Sequence, residues 1–149
     1  MIGADGNISP FFVFESEFPT MTLTITSFTA VLAGLLILLL TAKVIRLRRR
    51  DGVVLGDNND RPLTKAIRGH ANAVEQLPIA LILMGLSEAQ GAAASVLTGA
   101  AILLIVGRIM HAIYFAIDGT HWRLRMYGML LTLIAQIALI MILAATLLT

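Results

Sequence analysis

From Thr20 to Ala42 the chain carries no charged residue, and its core, Ala30–Leu40, is nearly all aliphatic. Lipid offers no partner to backbone N–H and C=O groups, so a run of this kind crosses a hydrocarbon layer about 30 Å thick as a helix. Lys43, Arg46 and Arg48–Arg50 follow at once as a stop. Further long apolar segments occupy about 65–86, 95–117 and 126–148. A soluble domain of 149 residues has no interior large enough for four such runs. The expected fold is all-α: an integral membrane four-helix bundle of up-down topology, one domain over 1–149.

Charge is clustered, not spread. Of eleven Lys and Arg, eight lie between Lys43 and Arg68, a distribution that argues against a nucleic-acid surface. There is no cysteine, which excludes disulfides, thiolate metal sites and a cysteine nucleophile. No His pair has metal-ligand spacing with a carboxylate, so no metal is expected. Residues 1–20 hold Asp5, Glu15 and Glu17 but no basic residue, unlike a cleaved signal peptide. They read as a short extramembrane arm punctuated by Pro10 and Pro19. Gly52, Gly56, Asp57–Asp60 and Pro62 mark a loop over 51–64, with Thr64 as the expected cap of the second helix. The basic residues fall in the first loop and in the turn between the third and fourth spans. The positive-inside rule puts those two loops in the cytoplasm and both termini outside.

Alternating spans bring three polar segments to that one membrane face. The second span contributes Arg68, Asn72 and Glu75, which share a stripe roughly 60° wide at 100° per residue. The end of the third contributes Arg108, His111 and Tyr114; the start of the fourth contributes Arg123, Arg125 and Tyr127. Ionisable groups inside a span are costly and face a bundle interior or a wet cavity. Several guanidinium forks suit carboxylates, a Glu suits an ammonium, and Asn and Tyr hydroxyls serve either. A ligand with more than one carboxylate and one amine matches, and glutathione has that pattern plus a thiol. Plainer readings stand beside this one. Arg68 can snorkel to the interface, Arg123 and Arg125 can be ordinary positive-inside residues, and Glu75 can pair with Arg108 to hold the bundle together. His111 can bond between helices, His70 falls on the opposite side of the helix from the stripe, and Trp122 suits an interfacial anchor.

The run Ala66-Ile-Arg68-Gly-His70-Ala-Asn72-Ala-Val-Glu75-Gln-Leu-Pro78 resembles the signature of the MAPEG family, membrane-associated proteins in eicosanoid and glutathione metabolism. Gly107-Arg108-Ile-Met-His111 resembles the family's second motif, and Arg123 and Tyr127 are similar in spacing to an Arg and a Tyr that begin its fourth helix. The likeness covers roughly 25–148 and is nearest the bacterial branch. It implies a homotrimer of left-handed bundles, in a bacterial inner membrane, with glutathione bound between subunits. Arg68, Asn72 and Glu75 would hold the peptide part, Arg108, His111 and Tyr114 would line the pocket, and Arg123 with Tyr127 would bind the thiolate.

The sequence departs from the family in three places. Ala71 stands where a basic residue often precedes the Asn. Phe115 stands where a Tyr often follows the His by four, with Tyr114 just before it. Arg125 is a second candidate for the thiolate. The implied activity is transfer of glutathione thiolate to lipophilic electrophiles from the bilayer, or reduction of lipid hydroperoxides. The alternative is a non-catalytic lipid-binding or scaffolding protein of the same fold. A small multidrug transporter fits less well, because its carboxylate should sit nearer the midplane without a shell of Arg.

Overall fold

The computed structural model describes residues 22–148, so the arm expected over 1–20 lies outside the described residues. Four helices make up the described chain: α1 Thr24–Asp51, α2 Arg61–Ala89, α3 Ala94–Ala116 and α4 Arg123–Leu148. The short connections between them force antiparallel neighbours and an up-down bundle. Three of the four, α1, α3 and α4, are long and apolar enough to cross a membrane by length and composition. α2 is as long as the others, but His70, Asn72, Glu75 and Gln76 keep its apolar content lower.

At the basic end the helices run past their apolar segments. α1 continues through Lys43–Arg50 and stops at Gly52, whose φ of 63° suits a residue without Cβ and lets its N–H bond the Arg48 carbonyl. The last turn is rich in Arg, which favours the negative end of the helix dipole. α2 begins at Arg61, earlier than the 65 expected, and its cap is Asp60 rather than Thr64. The Asp60 carboxylate accepts from the Leu63 amide at 3.3 Å, with Pro62 in the first turn. Thr64 instead donates its hydroxyl to Asp57 Oδ2 at 2.8 Å and to the Asp60 carbonyl at 2.9 Å. That bond is the first cause holding the Asp57 carboxyl below its ordinary 3.8, with the Asn59 amide and the nearby Arg68 charge acting the same way. A lowered carboxyl stabilises the fold above its unfolded pKa and loses that contribution as pH falls through the folded value.

The packing seam of α2 explains how the bundle closes. Ala66, Ala73, Ala80 and Ser87 recur every seven residues, and Leu63, Leu77 and Met84 recur in the same period on the adjoining row; all seven are buried. That is the 3.5-residue period of a left-handed supercoil, with small residues that let backbones approach where lipid gives no hydrophobic drive. The main core joins Ala73, Leu77, Ala80 and Met84 of this seam to Ala33 and Leu40 of α1, Leu97 and Leu104 of α3, and Ala135 and Leu139 of α4, while Leu63 and Ala66 pack with Leu47 in a second cluster. α2 and α3 each touch all the other helices, whereas α1 and α4 do not touch one another. Outward faces are aliphatic: Leu39 is 69% and Met141 63% exposed, as lipid-facing side chains are.

The far end of the bundle is tied by Glu88. Its carboxylate accepts the Ile25 amide at 2.9 Å and the Thr26 amide at 2.8 Å, capping α1 from the end of α2. Two of the amides left open at the first turn of α1 are thus satisfied by a group from another helix. Glu88→Ala should lower stability to denaturant in detergent by about 2 kcal/mol, the range for bonds to a charged acceptor, while Glu88→Gln should lose less. The measurement is a far-UV circular dichroism titration, and equal stability of all three proteins would contradict this role for Glu88.

Candidate functional site

The polar groups are set in place by two close backbone approaches. Gly107 of α3 and Gly128 of α4 face each other so tightly that a Cβ at Gly128 would lie 2.6 Å from the His111 amide nitrogen and 2.7 Å from the Gly107 carbonyl. A Cβ at Gly107 would meet the Gly128 carbonyl at 2.8 Å. No side chain fits there, so α3 and α4 lock in register at the turn that carries Arg108 and His111. Thr132 closes the same contact with its amide nitrogen, 2.9 Å from where a Cβ at Gly107 would lie, while its buried hydroxyl bonds within α4 to the Gly128 carbonyl at 2.8 Å. On the other side Gly69 of α2 lies against the Phe115 side chain, leaving no room for a Cβ.

Arg108 is fully buried. Its Nη1 donates to Asn72 Oδ1 at 3.0 Å and its Nη2 faces His111 Nδ1 at 3.4 Å, while Nε has no partner. Among the described residues no carboxylate pairs with it, and the ion pair with Glu75 considered from the sequence is absent. An unpaired charge in a low-dielectric interior costs several kcal/mol. The guanidinium is therefore kept at a cost that its two neighbours, Asn72 and His111, do not fully offset.

Beside it opens a cleft of about 1110 Å³ between α2, α3 and α4. Along α2 the lining is Arg68, Ala71, Asn72 and Glu75, spaced i, i+3, i+4 and i+7, so one helix face presents all four. Along α4 the lining begins at Trp122 and Arg125 and continues through Met126, Met129, Leu130 and Leu133; His111 and Phe115 of α3 close the back. The α2 wall is polar, and the α4 wall is apolar below Arg125.

Of the candidates named from the sequence, the structure brings Arg68, Asn72, Glu75, His111 and Arg125 to the cleft, with Arg108 directly behind Asn72 and His111. Arg123 and Tyr127 are exposed and do not line it. Tyr114 turns away as well: its ring lies 4.7 Å beneath Lys65 Nζ and packs edge-on to Phe115 with centroids 5.0 Å apart. Lys65 also donates to the Ile117 carbonyl at 3.0 Å and reaches Asp118 at 3.5 Å, binding the start of α2 to the end of α3. Phe115 stacks at a tilt on His111, centroids 4.9 Å apart. His70 is half-buried and outside the lining. Among the described residues no group of three or more His, Asp or Glu is placed to hold a metal ion. Sequence reading treated Trp122 only as an anchor. The signal for more was its position four residues before Met126, immediately ahead of a helix that starts earlier than its apolar segment.

A model of the MAPEG family matches residues 26–145, and that span contains every lining residue of the cleft. The chain belongs to the MAPEG family. It is similar to inner membrane protein YecN of Escherichia coli K12, 38% identical over 117 residues that cover 78% of this chain and 88% of the relative. The YecN protein of Escherichia coli O6:H1 matches with the same identity and coverage. These relatives and the three apolar helices put this MAPEG chain in a membrane. No solved structure matches it.

The glycine contact gives a direct test of how the site is held. Gly128→Ala should destabilise the bundle by about 3 kcal/mol, the upper end of the usual cost of overpacking, because both colliding groups are backbone atoms. Gly34→Ala, where a Cβ meets nothing within 4 Å, should not destabilise the bundle in the same detergent titration.

Proposed function

We propose that this MAPEG protein is a glutathione-dependent membrane enzyme that transfers the thiolate to lipophilic electrophiles or uses it to reduce lipid hydroperoxides. The observation that carries this reading is Arg108: a buried guanidinium without a carboxylate partner, adjoining a cleft lined by two further Arg and a Glu. A tripeptide with two carboxylates and one ammonium complements that set. Arg68 binds a carboxylate and Glu75 the ammonium, while Arg108, behind the cleft wall, adds its charge to the site and orients Asn72, which turns toward the peptide. Glu75 makes no hydrogen bond or ion pair among the described residues and is exposed on the cleft, available for such a contact.

Arg125 is the cationic group on the α4 wall, and a guanidinium beside a thiol favours the thiolate. In transfer, the sulfur–carbon bond forms as the bond to the leaving group breaks, and the thiol proton has already passed to solvent. In reduction, two thiols become a disulfide while the hydroperoxide becomes an alcohol and water. In this reading α2 crosses the bilayer with the other three helices, polar stripe toward the cleft, with both basic loops in the cytoplasm. Three copies assemble through the aliphatic outer faces. Arg123 and Tyr127, outside their own cleft, then reach a thiolate only in a neighbour's.

Titrating the purified protein with glutathione tests this, with ultraviolet thiolate absorbance as the readout. The expected result is thiolate formation below the pH at which free glutathione ionises. Absence of both binding and thiolate would overturn the proposal. Arg125→Ala should abolish the thiolate signal and lower turnover about 100-fold, near 2.7 kcal/mol of transition-state stabilisation, if the site lies within one protomer. If the site is shared between protomers, Arg123→Ala should do so instead. Arg108→Met should weaken glutathione at least 100-fold yet change stability by less than about 1 kcal/mol, because apolar replacement of a buried charge is often neutral. A large loss of stability with unchanged binding would make Arg108 structural.

A further inference from the structure

The basic residues that end α1 divide into two groups. Arg48 and Arg50 are engaged within the protein. Arg48 Nη1 donates to the Val53 and Val54 carbonyls at 3.4 and 3.3 Å, and Arg50 holds Asp51 at 2.6 Å and Asp60 at 3.0 Å. Lys43, Arg46 and Arg49 make no hydrogen bond or ion pair among the described residues. They follow one another at three residues, so each is turned about 60° from the last and lies about 4.5 Å further along the axis. The result is a cationic ridge on one side of the helix, with Arg46 in its middle.

The same arc of α1 continues toward the membrane as Ala42, Leu39, Leu35 and Leu32, all exposed. From Ala42 to Leu32 is about 15 Å, half of a hydrocarbon core about 30 Å thick. One helix face therefore runs in the order of a phospholipid, a leaflet's depth of apolar surface followed by cations at headgroup level. The direction of the helix adds to this. Helical side chains lean toward the N-terminus, which on α1 is the membrane side, so the three cations lean back over the headgroup layer and not out into water.

We propose that this face of α1 is a binding site for a phospholipid of net negative charge. Lys43, Arg46 and Arg49 hold its phosphate, and one acyl chain lies along Leu39, Leu35 and Leu32. Phosphate oxygens accept charge-assisted bonds from ammonium and guanidinium groups. A zwitterionic headgroup brings a cation of its own to the ridge, where it is repelled, so the site selects on net charge. The lipid takes one face of α1 and leaves the aliphatic outer faces of α2, α3 and α4 to other copies. None of this depends on the glutathione reading.

Native mass spectrometry of the purified protein in a neutral detergent reads bound lipid and oligomeric mass together. Dioleoylphosphatidylglycerol should bind at least tenfold more tightly than dioleoylphosphatidylcholine, whose chains are identical. Arg46→Gln should weaken the anionic lipid about fivefold. It should leave the zwitterionic one within twofold, with far-UV circular dichroism unchanged. Lys43→Gln, Arg46→Gln and Arg49→Gln together should remove the preference. Arg61→Gln, at an exposed cation of the same end but outside the ridge, should keep it. Equal binding of the two lipids, or the same loss in Arg61→Gln, reduces the effect to general surface charge and overturns the proposal. Glycerol 3-phosphate, the anion without chains, should not compete at equal concentration. Competition would make this a site for a soluble anion and would sink the lipid assignment. A triple variant that changes the oligomeric mass and leaves both lipid constants alone makes the ridge a contact between copies, which also overturns it.

Discussion

The arrangement of the bundle's polar end depends on one uncompensated charge. Arg108 sits with no exposed surface, gives one hydrogen bond to Asn72, meets His111, and has no carboxylate to neutralise it. Protein interiors ordinarily pair such a charge, hydrate it or do without it. Here its neighbours belong to α2 and α3, so the cation couples the polar stripe of one helix to the polar turn of the other. The field it creates falls on the adjoining cleft, where low dielectric makes it reach further than at a surface.

That charge can be held only because the backbones around it are close. Gly107 and Gly128 leave no gap for a side chain between α3 and α4, and Gly69 leaves none between α2 and Phe115. With three helices fixed at these points, the cleft between them is set by rigid elements and not by loops. Its polar α2 wall and apolar α4 wall run in the same direction from the same membrane face. A ligand lying in it would present its two sides to opposite chemistries.

Much of this was legible in the sequence, for definite reasons. Long uncharged runs leave a chain no choice but helix, and up-down topology then gathers the ends of distant segments. Arg68, Asn72 and Glu75 share a face by helical arithmetic alone, and they do line one cleft. Less legible was anything that depended on helix starts and on phase. α2 starts at Arg61, capped by Asp60 and not by Thr64, because an Asp followed at two residues by Pro offers both a cap and a first turn. α4 starts at Arg123, ahead of its apolar segment, which carries Trp122 and Arg125 onto the cleft and leaves Arg123 and Tyr127 outside it. Tyr114 and Phe115 differ by 100° on α3, and only the second reaches the lining. The Glu75–Arg108 pair, weighed as one plainer reading of Glu75 inside a span, is absent, and Asn72, one turn earlier, takes the guanidinium.

The Glu88 cap has a consequence for how the chain is made. The open amides of Ile25 and Thr26 wait for a carboxylate 63 and 62 residues further along. At elongation speeds of about 5–20 residues per second, that is a delay of roughly 3 to 13 seconds after the first turn of α1 is made. Throughout it α1 has no contact with α4 to wait for, only with helices that follow sooner. The first helix therefore enters the membrane with its leading turn unfinished, and the hairpin with α2 closes when Glu88 arrives.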